Sequence, residues 1–411
     1  MAVDVTFPPN SDHDLALRGL DQAEEYVAGI CFKTGPPGLI GVELEWTVHH
    51  ISDLTRPVDV TLLAEVLHPH APPSVDPDTD HVPLPHGSVV SVEPGGQVEI
   101  STQPHASLAS LYDAADRDIT YLTGLLSQSG LVLGDSGIDQ HRRAHRVLST
   151  PRYDAMADAF MADGPHGRIM MCSTAGLQVC VDAGASDRVN ARWAALHALG
   201  PALIAVFANS SNYAGEKTGW ASTRMRAWLG MDPDRTGPVP AGGDPAYDWA
   251  RYALRAPVLL VRRGGRSWRC PPRTSFADWI SGRLDGQPTY ADLDLHLSTL
   301  FPPVRPRGYL EVRYLDQQAS REWHAAAAVV AALLVDEASV DAVRDLCAPT
   351  DGLWVEAAQQ GLAHPRIAAA ARDVVALASR QLPRTELPQQ TCDELNELVG
   401  RRLAAGLEST R

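Results

Sequence analysis

Lysine is almost missing from this chain. The 35 basic residues include only Lys33 and Lys217, and the others are arginine. That bias, with abundant alanine, reflects a GC-rich genome and carries no chemistry by itself. Positive charge is also outnumbered: 50 acidic residues leave a net charge of −15. Broad electrostatic binding to nucleic acid or to an anionic membrane is therefore excluded as a main activity. The six cysteines form no C-x-x-C pair, which fits reduced thiols in a cytoplasmic protein. There is no H-E-x-x-H zinc motif and no G-x-G-x-x-G dinucleotide motif. Lys217 sits in G-E-K-T, without the glycine spacing of a phosphate-binding P-loop. The longest apolar run, Ala325 to Val335, is too short to span a bilayer. The first residues lack a basic stretch followed by an apolar one, so no signal peptide is expected.

What remains is a globular composition, 45% hydrophobic over 411 residues, with ample material for a core. The pattern predicts a helix from Asp14 to about Cys31 and a strand from Leu39 to His49. A helix over Asp59–Leu67 follows, then a Pro-, Asp- and His-rich loop from His68 to Pro85. Strands at Ser88–Glu93 and Val98–Ser101 flank Pro94-Gly95-Gly96-Gln97 as a hairpin, and a helix runs from Leu108 to about Ser129. A strand is expected from about Ile169 to Asp182, helices in 186–209 and part of 220–255, and a last strand from Gly308 to Leu315. Beyond Arg321 only helical patterns occur. Strands at irregular spacing with a hairpin indicate an α+β fold rather than a doubly wound sheet.

The strands share a chemical feature. In GVELEWTVHH, Val42, Leu44 and Trp46 point one way, and Glu43 and Glu45 the other, about 7 Å apart. The hairpin repeats this: Val90, Val92, Val98 and Ile100 alternate with Ser91, Glu93, Glu99 and Ser101. A loop made of Gly95, Gly96 and Gln97 sets Glu93 directly opposite Glu99, and a two-residue loop sets them on opposite faces. In the last strand Glu311 and Arg313 alternate with Leu310, Val312 and Tyr314. Thr174, Gln178 and Asp182 lie opposite Leu177, Val179 and Val181. Each strand alone also fits an ordinary solvent-facing surface. Together, in one antiparallel sheet, they collect Glu43, Glu45, Glu93, Glu99 and Glu311 on one face. Such a cluster requires raised pKa values or bound cations, and an all-oxygen donor set suits Mg²⁺ where phosphates share the site. Arg224 and Arg226, after a polar loop, are candidates to clamp a carboxylate or phosphate, or ordinary surface arginines. His49, His50, His68, His70, His81 and His86 straddle an irregular loop and suit surface or structural roles.

The runs GVELEW, HGSVVSVEPGGQVEISTQP, MMCSTAGLQVCVD, TGWASTRMRAW and GYLEVRYLD, in that order, resemble the glutamate–cysteine ligase family of GCS2 type. Within it the likeness is to the actinobacterial branch that serves ergothioneine biosynthesis. The resemblance implies one catalytic domain over residues 1–411, mainly helical from about 321. It implies a glutamine synthetase-like curved antiparallel sheet with surrounding helices. Its concave face would hold ATP, Mg²⁺ and glutamate. The implied reaction is ATP-dependent formation of γ-glutamylcysteine from glutamate and cysteine through γ-glutamyl phosphate. By that resemblance Glu43, Glu45, Glu93, Glu99 and Glu311 hold metal, and Glu311 and Arg313 act in catalysis. Arg224 holds a substrate carboxylate, and Gln178 and Thr174 contact substrate or nucleotide. No cysteine is required for the reaction, and Cys172 and Cys180 are expected to be packing residues. The other readings are a ligase for another amine, or an inactive relative that binds nucleotide or metal.

Overall fold

The computed structural model describes residues 15–161, 164–240, 243–262 and 268–408. Its strands are β1 (Ile40–Trp46), β2 (Val48–His50), β3 (Val89–Val92), β4 (Val98–Ser101) and β5 (Leu131–Leu133). They continue with β6 (Gly176–Asp182), β7 (Asn212–Tyr213), β8 (Glu216–Lys217), β9 (Val304–Pro306) and β10 (Tyr309–Asp316). The main sheet has the order β3-β4-β1-β6-β10-β9, and every neighbouring pair is antiparallel. The shorter pairs β2–β5 and β7–β8 stand apart from it. The α+β expectation holds.

Alternation assigns the two faces. Val42, Leu44, Val90, Ile100, Leu177, Val179, Leu310 and Val312 are buried on one of them. The helices Leu108–Gln128, Gly200–Val206 and Trp323–Leu333 pack against this apolar side. Beyond Glu322 the described residues form only helical elements. The alanine-rich helix Trp323–Leu333 joins the sheet's own core, because small side chains let its backbone lie close to β6.

Several boundaries moved. The first helix begins at Leu20, and Asp14 lies outside the described residues. The expected strand Leu39–His49 stops at Trp46, after which β2 turns away to pair with β5. The expected strand Ile169–Asp182 is half helix: His166–Ser173 is helical and β6 starts only at Gly176. A short apolar run such as RIMMC fits either element by periodicity, and here Thr174 Oγ1 closes the helix by donating to Met170 O at 2.7 Å. Lys217 belongs to the exposed β7–β8 hairpin, consistent with the missing P-loop spacing.

The loop from His68 to Pro85 carries no helix or strand. Two of its histidines serve the backbone, in the structural role expected: His70 Nδ1 pairs with Val82 O and His81 Nε2 with Val90 O, both at 2.8 Å, while His68 is exposed beside Asp76.

Candidate active site

The polar face of the sheet is not wet. Glu99 and Glu311 are 0% exposed and Glu43 is 4% exposed, which removes the solvent-facing alternative. The helices Pro151–Phe160, His166–Ser173 and Thr223–Leu229, with Phe301, wall in this side around a cavity. Glu45, Glu93, Arg152, Thr174, Gln178, Arg224, Trp228 and Arg313 line it.

Register decides which carboxylates meet. Glu45 stands directly across from Glu99, and Glu43 from Gln178. Glu99 faces Ser91 on its other side, and Ser91 Oγ donates to Glu99 Oε1 at 3.0 Å. The hairpin loop is therefore Pro94-Gly95-Gly96, neither of the two loops considered from the sequence: Glu93 N bonds Gln97 O at 2.8 Å. Glu93 and Glu99 share a face but are not opposite each other. The turn needs its glycines. Gly96 has φ +84°, and a Cβ on Gly95 would lie 2.2 Å from Cys172 O.

Burial and crowding set the protonation of this group. Burial, then the charges of Glu311 and Glu99, push Glu43 up to about 8. Burial, then Glu93 and Glu99, push Glu45 up to about 8. Glu99 is also raised, chiefly by burial. Glu311 goes the other way. Burial alone would raise it, but Arg305, Arg313 and Arg307 outweigh that and hold it well below the usual carboxylate range. Arg305 grips it through Nε at 2.6 Å and Nη2 at 3.1 Å, while Arg313 Nη1 reaches Glu311 Oε2 at 3.0 Å. Sequence reasoning missed Arg305. The signal was the requirement for a cation beside buried carboxylates, in a segment, Val304–Pro306, too short and proline-bound to read as a strand.

Arg313 Nη1 also bonds Gln178 Oε1, and its Nε is buried without a partner. Arg224 is buried rather than a surface arginine. Its Nη2 donates to Arg313 O at 2.8 Å, its Nε has no partner, and Trp228 lies under both guanidinium groups. Gly176 makes room for it: a Cβ there would come 2.6 Å from Arg224 Nη2. The Gly176 N–H donates to Glu45 Oε2 at 2.9 Å.

Asp316 was not foreseen, because simple alternation puts it on the apolar face. A bulge in β10 between Val312 and Leu315 shifts the phase, so Asp316 pairs with Gly176 on the polar side. It accepts from Asn209 N, Ser210 Oγ and Ser222 Oγ at 2.8, 2.7 and 2.8 Å. Ser222 caps the helix carrying Arg224, and Ser210 Oγ accepts from Arg224 N at 3.1 Å.

The five predicted glutamates thus share one sheet face, but only Glu45 and Glu93 line the cavity. Thr174 lines it from the end of a helix rather than from a strand. Cys180, expected to be a packing residue, belongs to the polar face of the sheet. It sits half-buried on the acidic face, directly across from Glu311.

The glutamate–cysteine ligase family 2 (GCS2) model matches residues 39–409. Glutamate–cysteine ligase EgtA of Mycobacterium tuberculosis is 41% identical over 383 residues, covering 91% of this chain and 86% of that protein. The EgtA of Mycolicibacterium smegmatis is 39% identical over 393 residues, 92% of this chain and 89% of the relative. A glutamate–cysteine ligase of Francisella tularensis, solved in complex with AMP, shares the fold. Its TM-score is 0.55 at 14% identity, over 92% of this chain and 84% of that one. By sequence and by fold, the chain is a member of glutamate–cysteine ligase family 2.

Proposed function

We propose that this chain is a glutamate–cysteine ligase, one catalytic unit that joins the γ-carboxylate of L-glutamate to the amine of L-cysteine at the expense of ATP. The observation that carries the reading is a buried acidic sheet face beside two guanidinium groups, in a chain of this family. The glutamate γ-carboxylate attacks the terminal phosphorus of ATP. The cysteine amine then displaces phosphate from γ-glutamyl phosphate, leaving ADP and γ-glutamylcysteine. The relatives named EgtA support a place in ergothioneine biosynthesis. Six cysteines without a disulfide fit a reducing cytoplasm.

The donor set suits Mg²⁺. Glu43 Oε2 is buried with no hydrogen-bond partner, and Glu43, Glu45 and Glu99 are raised first by burial and then by neighbouring carboxylates, a setting that a bound cation would relieve. Glu43, Glu45, Glu93, Glu99 and Glu311 would hold the metal, Glu311 through lone pairs not used by Arg305 and Arg313. Bound there, Mg²⁺ would offset the repulsion between the attacking carboxylate and the triphosphate. Arg313 is positioned to stabilise charge on the transferring phosphoryl group, and Arg224 to hold a substrate carboxylate. Gln178 fixes Arg313, and Gln178 and Thr174 border the substrates from the cavity wall.

The test is to supply the purified protein with ATP, Mg²⁺, glutamate and a panel of amines. Phosphate release and product mass are then followed. Release dependent on glutamate and cysteine, with the mass of γ-glutamylcysteine, is expected. Release with another amine only would redirect the substrate assignment, and ATP binding without release for any pair would mark an inactive relative.

A further inference from the structure

Asp316 is a carboxylate buried behind the site, 2% exposed and held by neutral donors. Its Oδ1 accepts from Ser222 Oγ at 2.8 Å, and its Oδ2 from Ser210 Oγ at 2.7 Å and Asn209 N at 2.8 Å. Gly137 leaves room for it, since a Cβ there would lie 2.7 Å from the Asp316 Cβ. Both serines also meet the helix Thr223–Leu229. Ser210 Oγ accepts from Arg224 N and Ser222 Oγ from Met225 N, each at 3.1 Å, and Ser210 O accepts from Thr223 N at 3.1 Å. The Arg224 side chain comes back to the strand of Asp316, where Arg313 O accepts from its Nη2 at 2.8 Å. We propose that Asp316 is a positioning residue for substrate-carboxylate binding: acting through Ser210 and Ser222, it fixes the first turn of this helix and so sets where Arg224 presents its guanidinium. The proposal rests on the reading of Arg224 as the group that holds a carboxylate of glutamate.

Hydroxyl chemistry explains the arrangement. Each serine has one proton to donate and lone pairs with which to accept. An ionised Asp316 takes the proton of both, so lone pairs are what Ser210 and Ser222 turn toward the Arg224 and Met225 N–H groups. A serine caps a helix start without such help, and a buried carboxylate is costly unless it is paired or hydrogen-bonded. The charge therefore has a task beyond capping. It fixes the direction of two hydroxyls, and it lies close to Arg224. Burial disfavours the charged form of that arginine, and Asp316, ahead of Glu45, opposes this. The bulge in β10 makes the arrangement possible: it brings Asp316 to the polar side while Arg313, within the bulge, lines the cavity. One strand thus holds Arg224 at its backbone through Asp316 and at its guanidinium through Arg313 O. Loss of the Asp316 anchor moves one guanidinium and leaves the acidic face in place, so glutamate binding suffers before nucleotide binding does.

Glutamate affinity is measured by calorimetry with Mg²⁺ and a non-hydrolysable ATP analogue, and glutamate KM and kcat by turnover. Asp316→Asn keeps the shape but offers one accepting oxygen instead of two, so one serine must turn its proton away. Ser210→Ala removes the hydroxyl between Asp316 and Arg224 N. Each variant is expected to weaken glutamate binding and raise its KM by about tenfold or more, with nucleotide affinity changed by less than about threefold and kcat falling less than KM rises. Ser210→Thr, which keeps the hydroxyl, retains most of the affinity. Where circular dichroism shows that Asp316→Asn does not fold, Ser210→Ala, which leaves the charge in place, carries the test. Unchanged glutamate affinity in folded Ser210→Ala, or equal losses for glutamate and nucleotide, would make Asp316 a structural residue only and overturn the proposal. Arg224→Gln separates this proposal from the reading beneath it. If it weakens glutamate binding and Ser210→Ala does not, Arg224 keeps its role and Asp316 loses its own. If Arg224→Gln leaves glutamate binding intact, both assignments fall.

Discussion

Arg305 and Glu311 pair in register across β9 and β10, the guanidinium fork closing on the carboxylate at 2.6 and 3.1 Å with both side chains sealed from water. The pair fixes Glu311 in its charged form. A depressed carboxylate contributes stability above its unfolded pKa and loses it only as pH falls through the folded value. Arg305→Met keeps the apolar bulk but removes the closest of the guanidinium groups that balance the Glu311 charge, leaving Arg313 and the more distant Arg307. It is expected to destabilise the protein by about 3–5 kcal/mol, the usual cost of breaking a buried pair. Urea unfolding of the two proteins at neutral pH measures it. A loss under about 1 kcal/mol would mean the pair is solvated in solution.

Arg313→Lys keeps the charge and loses the fork that serves Glu311 and Gln178 together. Turnover should fall by about 10²-fold or more, with nucleotide affinity nearly unchanged, because the contact matures as charge moves to the phosphoryl oxygens. Measuring ATP binding by calorimetry and turnover on the same preparation separates the two effects. A defect confined to nucleotide affinity would make Arg313 a structural partner of Glu311.

Gly176→Ala places a methyl group 2.6 Å from Arg224 Nη2, so the guanidinium must move. Glutamate KM should rise about tenfold or more, equivalent to ~1.4 kcal/mol, while the fold survives. Steady-state kinetics at saturating ATP and cysteine, with circular dichroism as the control, test this. An unchanged KM in a folded variant would remove Arg224 from the substrate site.

How much of this was legible in sequence depended on phase. Residues that kept strict alternation, Glu43, Glu45, Glu99 and Glu311, fall on the expected face. Asp316 was hidden because a one-residue bulge reverses the phase beyond Val312, and nothing in YLEVRYLD announces a bulge. Arg305 was hidden because β9 is three residues long and ends in proline. Burial was not legible either. An alternating strand is equally compatible with water on its polar side, and it is the helices Pro151–Phe160, His166–Ser173 and Thr223–Leu229, with Phe301, that close that side.

The crowded carboxylates make stability depend on pH in a defined sense. Glu43 and Glu45 are both raised from 4.5 to about 8, by burial first and by neighbouring glutamates next. A raised carboxylate contributes its stability below the unfolded pKa and loses it as pH climbs through the folded one. The metal-free protein should therefore lose thermal stability between about pH 5 and pH 9. Added Mg²⁺, which selects the ionised form, should raise Tm more at the alkaline end than at about pH 6. Calorimetric scans with and without Mg²⁺ across this range check the sign. A metal-free Tm that rises toward alkaline pH would contradict the burial of these charges.

The central claim is that the glutamate γ-carboxylate attacks the terminal phosphorus of ATP. Glutamate carrying the heavy oxygen isotope in its γ-carboxylate tests this in one turnover experiment with cysteine, ATP and Mg²⁺. The account predicts that the released phosphate carries one labelled oxygen for each γ-glutamylcysteine formed, because the oxygen attached in γ-glutamyl phosphate leaves with the phosphoryl group. Unlabelled phosphate formed in step with product would contradict it.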